Sequence, residues 1–566
     1  MKNNPLKGKH LLITLLLLIF YHPGNICCAQ RSLFVVDSLT LTLDGHTTPF
    51  NQVVAGDTIL LLGGNRKFLA IRNFTGTTEN PIVFINGNGI VTIETDHYYG
   101  ILVENCRYIH ITGTGVENEF YGIRIDKVLN GAGVSMAKLT SDVELDHVSV
   151  RNTLMGAIYS KTDPDCLFNS TREKFIQYNT VIHDNYIENA VNEGMYIGST
   201  KYFGQHLICG GVDTLLLPHL LDGVNIYNNI IKYVGGDGIQ VSSASSNCRI
   251  YDNVILFDSQ DEVYGQMAGI LIGGGSKCDC YNNYIANGKG NGIESHGLGG
   301  YRIFNNIIEN AGLGYLPSDL TQMKYGILVT DVTAQQDSSF NIFHNNILHP
   351  KSDGIRFMSV HSRHNIIASN MIIDPGNFDF YENGHYNVKG KDAYVMEPDT
   401  SADISLLDNF FSRSVDSAGF VPFSFSLSAG SKLIDAGYTG NTGIQSDFYH
   451  HPRQYGSKPD IGAIEFDPAY LGIPVHQKPD KRKVKVFPEP VRESMTLQFQ
   501  LPEESKVVLD IYHLNGKQAG QTFPGILKAG LQSICINVAD FPPGLYLYTL
   551  RTGNQYFSGK FIKAGN

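Results

Sequence analysis

Two short stretches concentrate side chains able to move protons. "GNGIESH" places Glu294 and His296 two residues apart, so on a strand both point to one side, about 7 Å from each other. "YSKTDPD" supplies Lys161, Asp163 and Asp165, and the stretch from Glu193 to Tyr202 adds Tyr196 and Lys201. Lysine, histidine, tyrosine or arginine beside a second cation is the set that removes a C–H proton next to a neutralised carboxylate. Two carboxylates facing each other across a bond would instead suit glycoside hydrolysis. Asp163 and Asp165 are candidate oxygen ligands for calcium, or the two ends of a DPD turn.

What positions these residues is a repeat. "GILVE", "GIRID", "GAIYS", "GMYIG", "GIQVS", "GILIG", "GIESH", "GILVT" and "GIRFM" begin at Gly100, 122, 156, 194, 238, 269, 292, 326 and 354. Between them run strands ending in asparagine, at Asn185, Asn229, Asn253, Asn283, Asn306, Asn346 and Asn370. Both patterns alternate with period two, are rich in Ile, Val and Tyr, and are separated by Gly, Asn and Asp. This is strand–turn chemistry. Units near 22–24 residues with insertions mean stacked coils, each burying its apolar side chains on the next. A repeated Asn at one turn predicts a hydrogen-bonded ladder that satisfies buried backbone groups.

With Ile inward, the stack predicts two outward columns. The first runs Leu102, Arg124, Ile158, Tyr196, Gln240, Leu271, Glu294, Leu328, Arg356. The second runs Glu104, Asp126, Ser160, Gly198, Ser242, Gly273, His296, Thr330, Met358. Polar residues gather at two levels. One holds Lys161, Glu193, Tyr196, Lys201, Tyr202, Asp237 and Gln240, flanked by insertions at about 161–180 and 199–222 that predict the walls of a binding site. The other holds Glu294, His296, Lys324 and Arg356. The expected catalytic residues are Lys161, Tyr196, Lys201, His296 and Arg356, with Glu193, Tyr202, Gln240 and Glu294 binding substrate and Asp163 and Asp165 holding metal. No adjacent rungs of the two columns supply a clean carboxylate pair, which disfavours hydrolysis. A polar outer face is also what any solvated solenoid shows.

The pattern resembles the bacterial right-handed parallel β-helix proteins. The opening "AGDTILLLGGNRKFLAIRNFTGTTENPIVFINGNGIVTIE" resembles the first coils of polysaccharide lyases related to chondroitinase B and alginate lyases, although it carries no catalytic residue. The resemblance implies an extracellular polysaccharide as substrate and β-elimination from a uronic acid; the cofactor expected from the acidic residues is calcium or none. The alternatives are a non-catalytic, adhesive glycan-binding protein and a glycoside hydrolase. Residues 433–466 resemble the closing coil of Bacteroidetes surface β-helix proteins, with Asp460, Gly462 and Glu465 in turn and cap roles.

The ends of the chain say where it works. Lys2, Lys7 and Lys9 precede "LLITLLLLIF" and then "CCAQ", the layout of a signal peptide over 1–29. Residues 30–474 are expected to be the β-helix and 475–485 a linker. The segment 486–566, with short alternating strands, predicts a small β-sandwich. "FPEPV", "DIYHLNGK", "PPGLYLYTL" and "GKFIK" resemble the type A sorting domain of the type IX secretion system, with Glu489 in place of the usual Asn. That implies a Bacteroidetes origin, the secretion machinery as partner, and a secreted or surface-attached product. The fold expected is therefore all-β, a parallel β-helix followed by a sandwich, acting as a monomer. Residues 30–474 hold 28 Lys/Arg and 47 Asp/Glu, a balance that disfavours nucleic acid. Of the nine cysteines, the seven beyond the signal peptide are scattered and do not form a disulfide framework, though Cys166 and Cys209 could pair across the two insertions, and "KCDCY" is expected to hold free thiols.

Overall fold

The computed structural model describes residues 32–117, 119–315, 323–376, 394–397, 401–420, 425–467, 484–488, 491–501, 503–513, 518–541, 544–552 and 555–563. Residues 1–29 and most of the linker expected at 475–485 lie outside that set.

The alternating segments stack as parallel strands, each hydrogen-bonded to its equivalent in the next coil. One sheet has 12 strands in simple sequence order, from Thr42–Asp44 to Val395–Met396. The other has 24 and is two ladders fused where the long strand Ile82–Thr95 pairs with both Arg107–Thr112 and Ile123–Val128. Inside the coil, Ile101, Val134, Ile158, Met195, Ile239, Ile270, Ile293, Ile327 and Ile355 form one inward column, each 0% exposed. Burying each such side chain is worth roughly 1.5–3 kcal/mol, so a charged residue anywhere in the column would open a coil. The glycine ahead of these isoleucines is there for space. A Cβ on Gly269 would lie 2.4 Å from Ile285 Cγ2 and 2.8 Å from the Gly292 carbonyl.

The asparagine ladder runs through Asn185, Asn229, Asn253, Asn283, Asn306, Asn345, Asn370 and Asn409. Each amide Nδ2 donates to the next Oδ1 at 2.9–3.1 Å, and each backbone N–H donates to the same acceptor. Asn345, not Asn346, is the ladder member in "FHNNIL". The residue before each rung is the left-handed one (Asn305 at φ 53°, His344 at 54°), which fixes which asparagine turns inward.

Three expectations are corrected. The "GIRID" segment joins the 24-stranded sheet, through Val91 and Val148, and Ala132–Ala137 takes its place in the 12-stranded one. Residues 433–466 add no strand to either sheet and are not a closing coil. They lie along the outside of several coils, with Arg453 buried against Glu465 at 2.8 Å and Asn305 at 3.1 Å, and Ala463 N–H on Asn346. Cys278 of "KCDCY" pairs with Cys248 on the preceding rung, while Cys280 is a buried free thiol. The C-terminal unit has antiparallel sheets of three and four strands over a core that includes Met495, Leu497, Phe499, Leu509 and Leu550, the expected sandwich.

Candidate functional site

Register fixes what the 12-stranded sheet shows to solvent. The first outward column is Leu102, Ser135, Tyr159, Tyr196, Gln240, Leu271, Glu294, Leu328, Arg356. Arg124 therefore drops out, and Tyr159 replaces Ile158 because the "GAIYS" rung pairs one residue later than its glycine suggests. The same offset puts Lys161, not Ser160, in the second column above Gly198, Ser242, Gly273, His296, Thr330 and Met358, while Ala137 stands where Asp126 was expected.

A wall rises beside the upper rungs. The insertions 161–180 and 199–222 are joined by the Cys166–Cys209 disulfide. The hairpin Gln205–Cys209/Val212–Leu216 stiffens them. Arg172 lies over the Tyr202 ring at 4.3 Å and donates to Pro218 O, and buried His219 accepts the Thr162 N–H at 3.1 Å. The wall leans down two rungs: Tyr202 presses on Gly275, where a Cβ would meet its ring at 2.0 Å. Tyr202 thus builds the wall from inside it.

At the foot of the wall, Lys161 Nζ stands 4.5 Å from the centre of the Tyr196 ring and 3.0 Å from Asp163. Tyr196 Oη shares a hydrogen bond with Thr200 at 2.9 Å and packs edge-on to Tyr159. Glu193 is 1% exposed, with the Tyr159 hydroxyl donating to it at 3.4 Å; burial raises its carboxyl above the ordinary value, and Tyr159 and Lys161 only partly offset this. Asp237, one rung on and 0% exposed, takes the Ala268 N–H on Oδ1, while its Oδ2 has no partner among the described residues. Burial, with Glu294 and Glu193 nearby, pushes it well above a normal carboxylate. Gln240 is buried too. Lys201 is exposed, its backbone N–H donating to Ser199.

Three rungs below Tyr196, about 14 Å away, His296 bridges Glu294 Oε1 at 2.6 Å and Thr330 Oγ1 at 2.5 Å. Burial pushes the Glu294 carboxyl up, but His296 and Asn291 outweigh it and hold the group below its usual value. Arg356 lies two further rungs on and donates to Asp353 at 3.0 Å. Burial carries Asp353 up to about 6 despite Arg356. His296 and Arg356 are therefore not one site: they stand about 10 Å apart along the stack, and each is already engaged. Lys324 is lowered by burial, against the pull of Glu294, Asp237 and Asp258.

The metal expectation finds no support at its two aspartates. Asp163 holds Lys161 and Asp165 accepts the Leu167 N–H of its own turn, with no third ligand grouped with them among the described residues. A metal-type grouping, His110, Glu144 and Asp146, lies instead on the 24-stranded sheet. Sequence reasoning missed it. The segments "YIHIT", "VELDH" and "VIHDN" carry the residues, but only the register between coils sets His110 beside Glu144 and Asp146 beside His183.

Residues 221–397 match the family described as right handed beta helix region, and residues 485–564 match the secretion system C-terminal sorting domain. The chain carries a β-helix and a secretion sorting domain. The sorting domain implies secretion and cell-surface attachment, and no helix among the described residues is long and apolar enough to cross a membrane. No curated protein sequence matches the chain. Among solved structures, an alginate lyase from Paenibacillus sp. str. FPU-7 is 12% identical at a TM-score of 0.30, covering 58% of this chain and 99% of that one. The complex of XylC with xylose is 10% identical at 0.31, covering 88% and 100%. A PL6 family polysaccharide lyase from Pseudopedobacter saltans is 12% identical at 0.25, covering 75% and 99%. Likeness at this level assigns no residue and no substrate.

Proposed function

We propose that the walled face of the 12-stranded sheet binds an extracellular acidic polysaccharide and cleaves it by β-elimination at a uronic acid. The observation that carries this is the Lys161–Tyr196 pair at the foot of the disulfide-closed wall. Asp163, the counter-ion of Lys161, has a side chain 55% exposed. An exposed pair of this kind is worth under about 1 kcal/mol, so a substrate carboxylate can take its place. Neutralised by Lys161, that carboxylate acidifies the neighbouring C5–H. Tyr196 Oη receives the C5 proton once its own has left through Thr200 to solvent. The C4–O bond then breaks, C4=C5 forms, and the same proton passes to the leaving oxygen. His296, three rungs along the stack, would meet the same glycan chain further on, roughly 14 Å from Tyr196.

Incubating the mature protein with alginate, pectin and glycosaminoglycans while following unsaturated-uronate absorbance tests the proposal. Product that disappears in Lys161→Ala and Tyr196→Phe supports it; no absorbance change on any uronate polymer, with or without calcium, sinks it. A second reading, non-catalytic glycan binding, is favoured by the deeper cation Arg356 being held by a buried internal carboxylate. It predicts retention on a polysaccharide column without product. Hydrolysis would require a reachable carboxylate pair, whereas Glu193 and Asp237, on adjacent rungs, are 1% and 0% exposed.

A further inference from the structure

We propose that His110, Glu144, Asp146 and His183 bind a divalent transition-metal ion, zinc fitting best, on the outward face of the 24-stranded sheet. Parallel register sets Glu144 opposite His110, and Asp146 opposite both Thr112 and His183. Three consecutive coils thus bring three donors together and set His183 beside the two carboxylates. One ligand atom each of His110, Glu144 and Asp146 lie within 4.8 Å of one another. His183 Nε2 is 3.0 Å from Glu144 Oε1 and 3.7 Å from Asp146 Oδ2, and His110 Nε2 also contacts Asp146 Oδ2. Tetrahedral zinc with bonds of about 2.0–2.2 Å holds its donors roughly 3.3–3.5 Å apart, close to the His183–carboxylate distances, and the ion would draw His183 toward His110 to complete the set.

The surroundings orient these donors as a metal site requires. Asp184 Oδ2 holds His183 Nδ1 at 2.7 Å, which leaves Nε2 facing the two carboxylates. The His183 ring is stacked flat on Tyr227, 4.6 Å between centres. Asp146 Oδ1 accepts from Thr112 and from His147 Nδ1, both at 2.6 Å, turning Oδ2 toward His110 and His183. A carboxylate behind a ligating imidazole fixes its tautomer and strengthens it as a ligand. Two imidazoles with two carboxylates suit zinc, and cobalt as its probe, and are too rich in nitrogen for calcium or magnesium. Glu144 is 42% exposed at its side chain and His110 25%, so the ion enters directly from solvent. The site is on a different sheet from Lys161 and Tyr196, so its fate and that of the glycan site are separable.

The test uses untagged mature protein, stripped with chelator and dialysed. Zinc is titrated calorimetrically, and cobalt by its visible absorption. The expected result is one ion per chain, a tetrahedral cobalt spectrum abolished by zinc but not by excess calcium, and loss of both signals in His183→Ala and Glu144→Gln. Asp184→Asn, which removes only the orienting carboxylate, is expected to weaken binding 10- to 100-fold. Glu144 is exposed enough that its variant keeps the fold, checked by circular dichroism. No zinc or cobalt binding to the wild type, or binding that both ligand variants leave unchanged, overturns the proposal and makes the cluster a set of hydrogen-bonded charges complete without an ion.

Discussion

The buried carboxylates of this solenoid fall into two groups, and the contrast is sharpest between its two outer faces. In the turns that lead into the 12-stranded sheet, Glu193, Asp237 and Asp353 lose water and gain too few partners, and burial pushes all three above the ordinary carboxylate value, whereas Glu294 on a strand of that sheet is held below it by His296 and Asn291. On the 24-stranded sheet Asp146, 2% exposed, is as deep, yet hydrogen bonds from His110, His147 and Thr112 overcome the burial and hold it well below. The same cluster carries His183 up to about 9: burial alone would lower it, but Asp184 and Glu144 win. Depth of burial therefore does not set the charge of these groups. What sets it is whether several donors reach the carboxylate, as at Asp146 and Glu294, or only one, as at Asp237 and Asp353.

Removing the central anion should separate the faces most. Asp146→Ala strands His110, His147 and His183 in the absence of metal, and an uncompensated buried cluster of this kind costs about 3–5 kcal/mol; denaturant unfolding measures it. A loss below about 1 kcal/mol would mean the histidines do not depend on Asp146. On the other face, Lys161→Ala is expected to cut formation of unsaturated product roughly 100-fold while moving unfolding by less than about 0.5 kcal/mol. Equal losses of activity and stability would make Lys161 a structural residue.

The pH dependence of stability sharpens the contrast further. His183 has its folded value raised from 6.5 to about 9, so its contribution is complete below 6.5 and disappears as pH rises through about 9. Asp146, with a lowered value, contributes above the ordinary carboxylate range and ceases to as pH falls through that lowered value. Metal-free protein should thus lose stability between pH 6.5 and about 9, and His183→Gln should flatten that slope. A slope unchanged in the variant would place the titration elsewhere.

How much of this was legible in the sequence follows from which period each feature obeys. Period two and the recurring Gly and Asn fix the coils, the inward column and most of the ladder, because those residues face identical surroundings at every rung. The same counting places Tyr196, Glu294 and His296 on the outer face. The failures come where the count slips by one: Ile158 for Tyr159, Asn346 for Asn345, and the "GIRID" strand assigned to the wrong sheet. A single-residue shift exchanges the two faces of a strand, and nothing local to "GAIYS" announces it. The pairing of His110 with Glu144 and Asp146 spans some 35 residues, so it becomes visible only once the register between coils is known.

The smallest effect is the most discriminating. Asp237 is fully buried with one oxygen on the Ala268 N–H and the other without a partner among the described residues, and its value is well above 3.8. A raised folded value means that its stability contribution is complete below 3.8 and is lost as pH rises through the folded value. Asp237→Asn reproduces the uncharged form of this side chain and keeps an oxygen for the Ala268 N–H. The substitution should change unfolding by under about 1 kcal/mol near pH 3.8 and should leave the variant the more stable of the two at about pH 9. The comparable change at Asp146 must be destabilising at both. If Asp237→Asn weakens the fold equally at the two pH values, Asp237 is ionised and partnered after all, and it belongs with Asp146 and Glu294 rather than with Glu193.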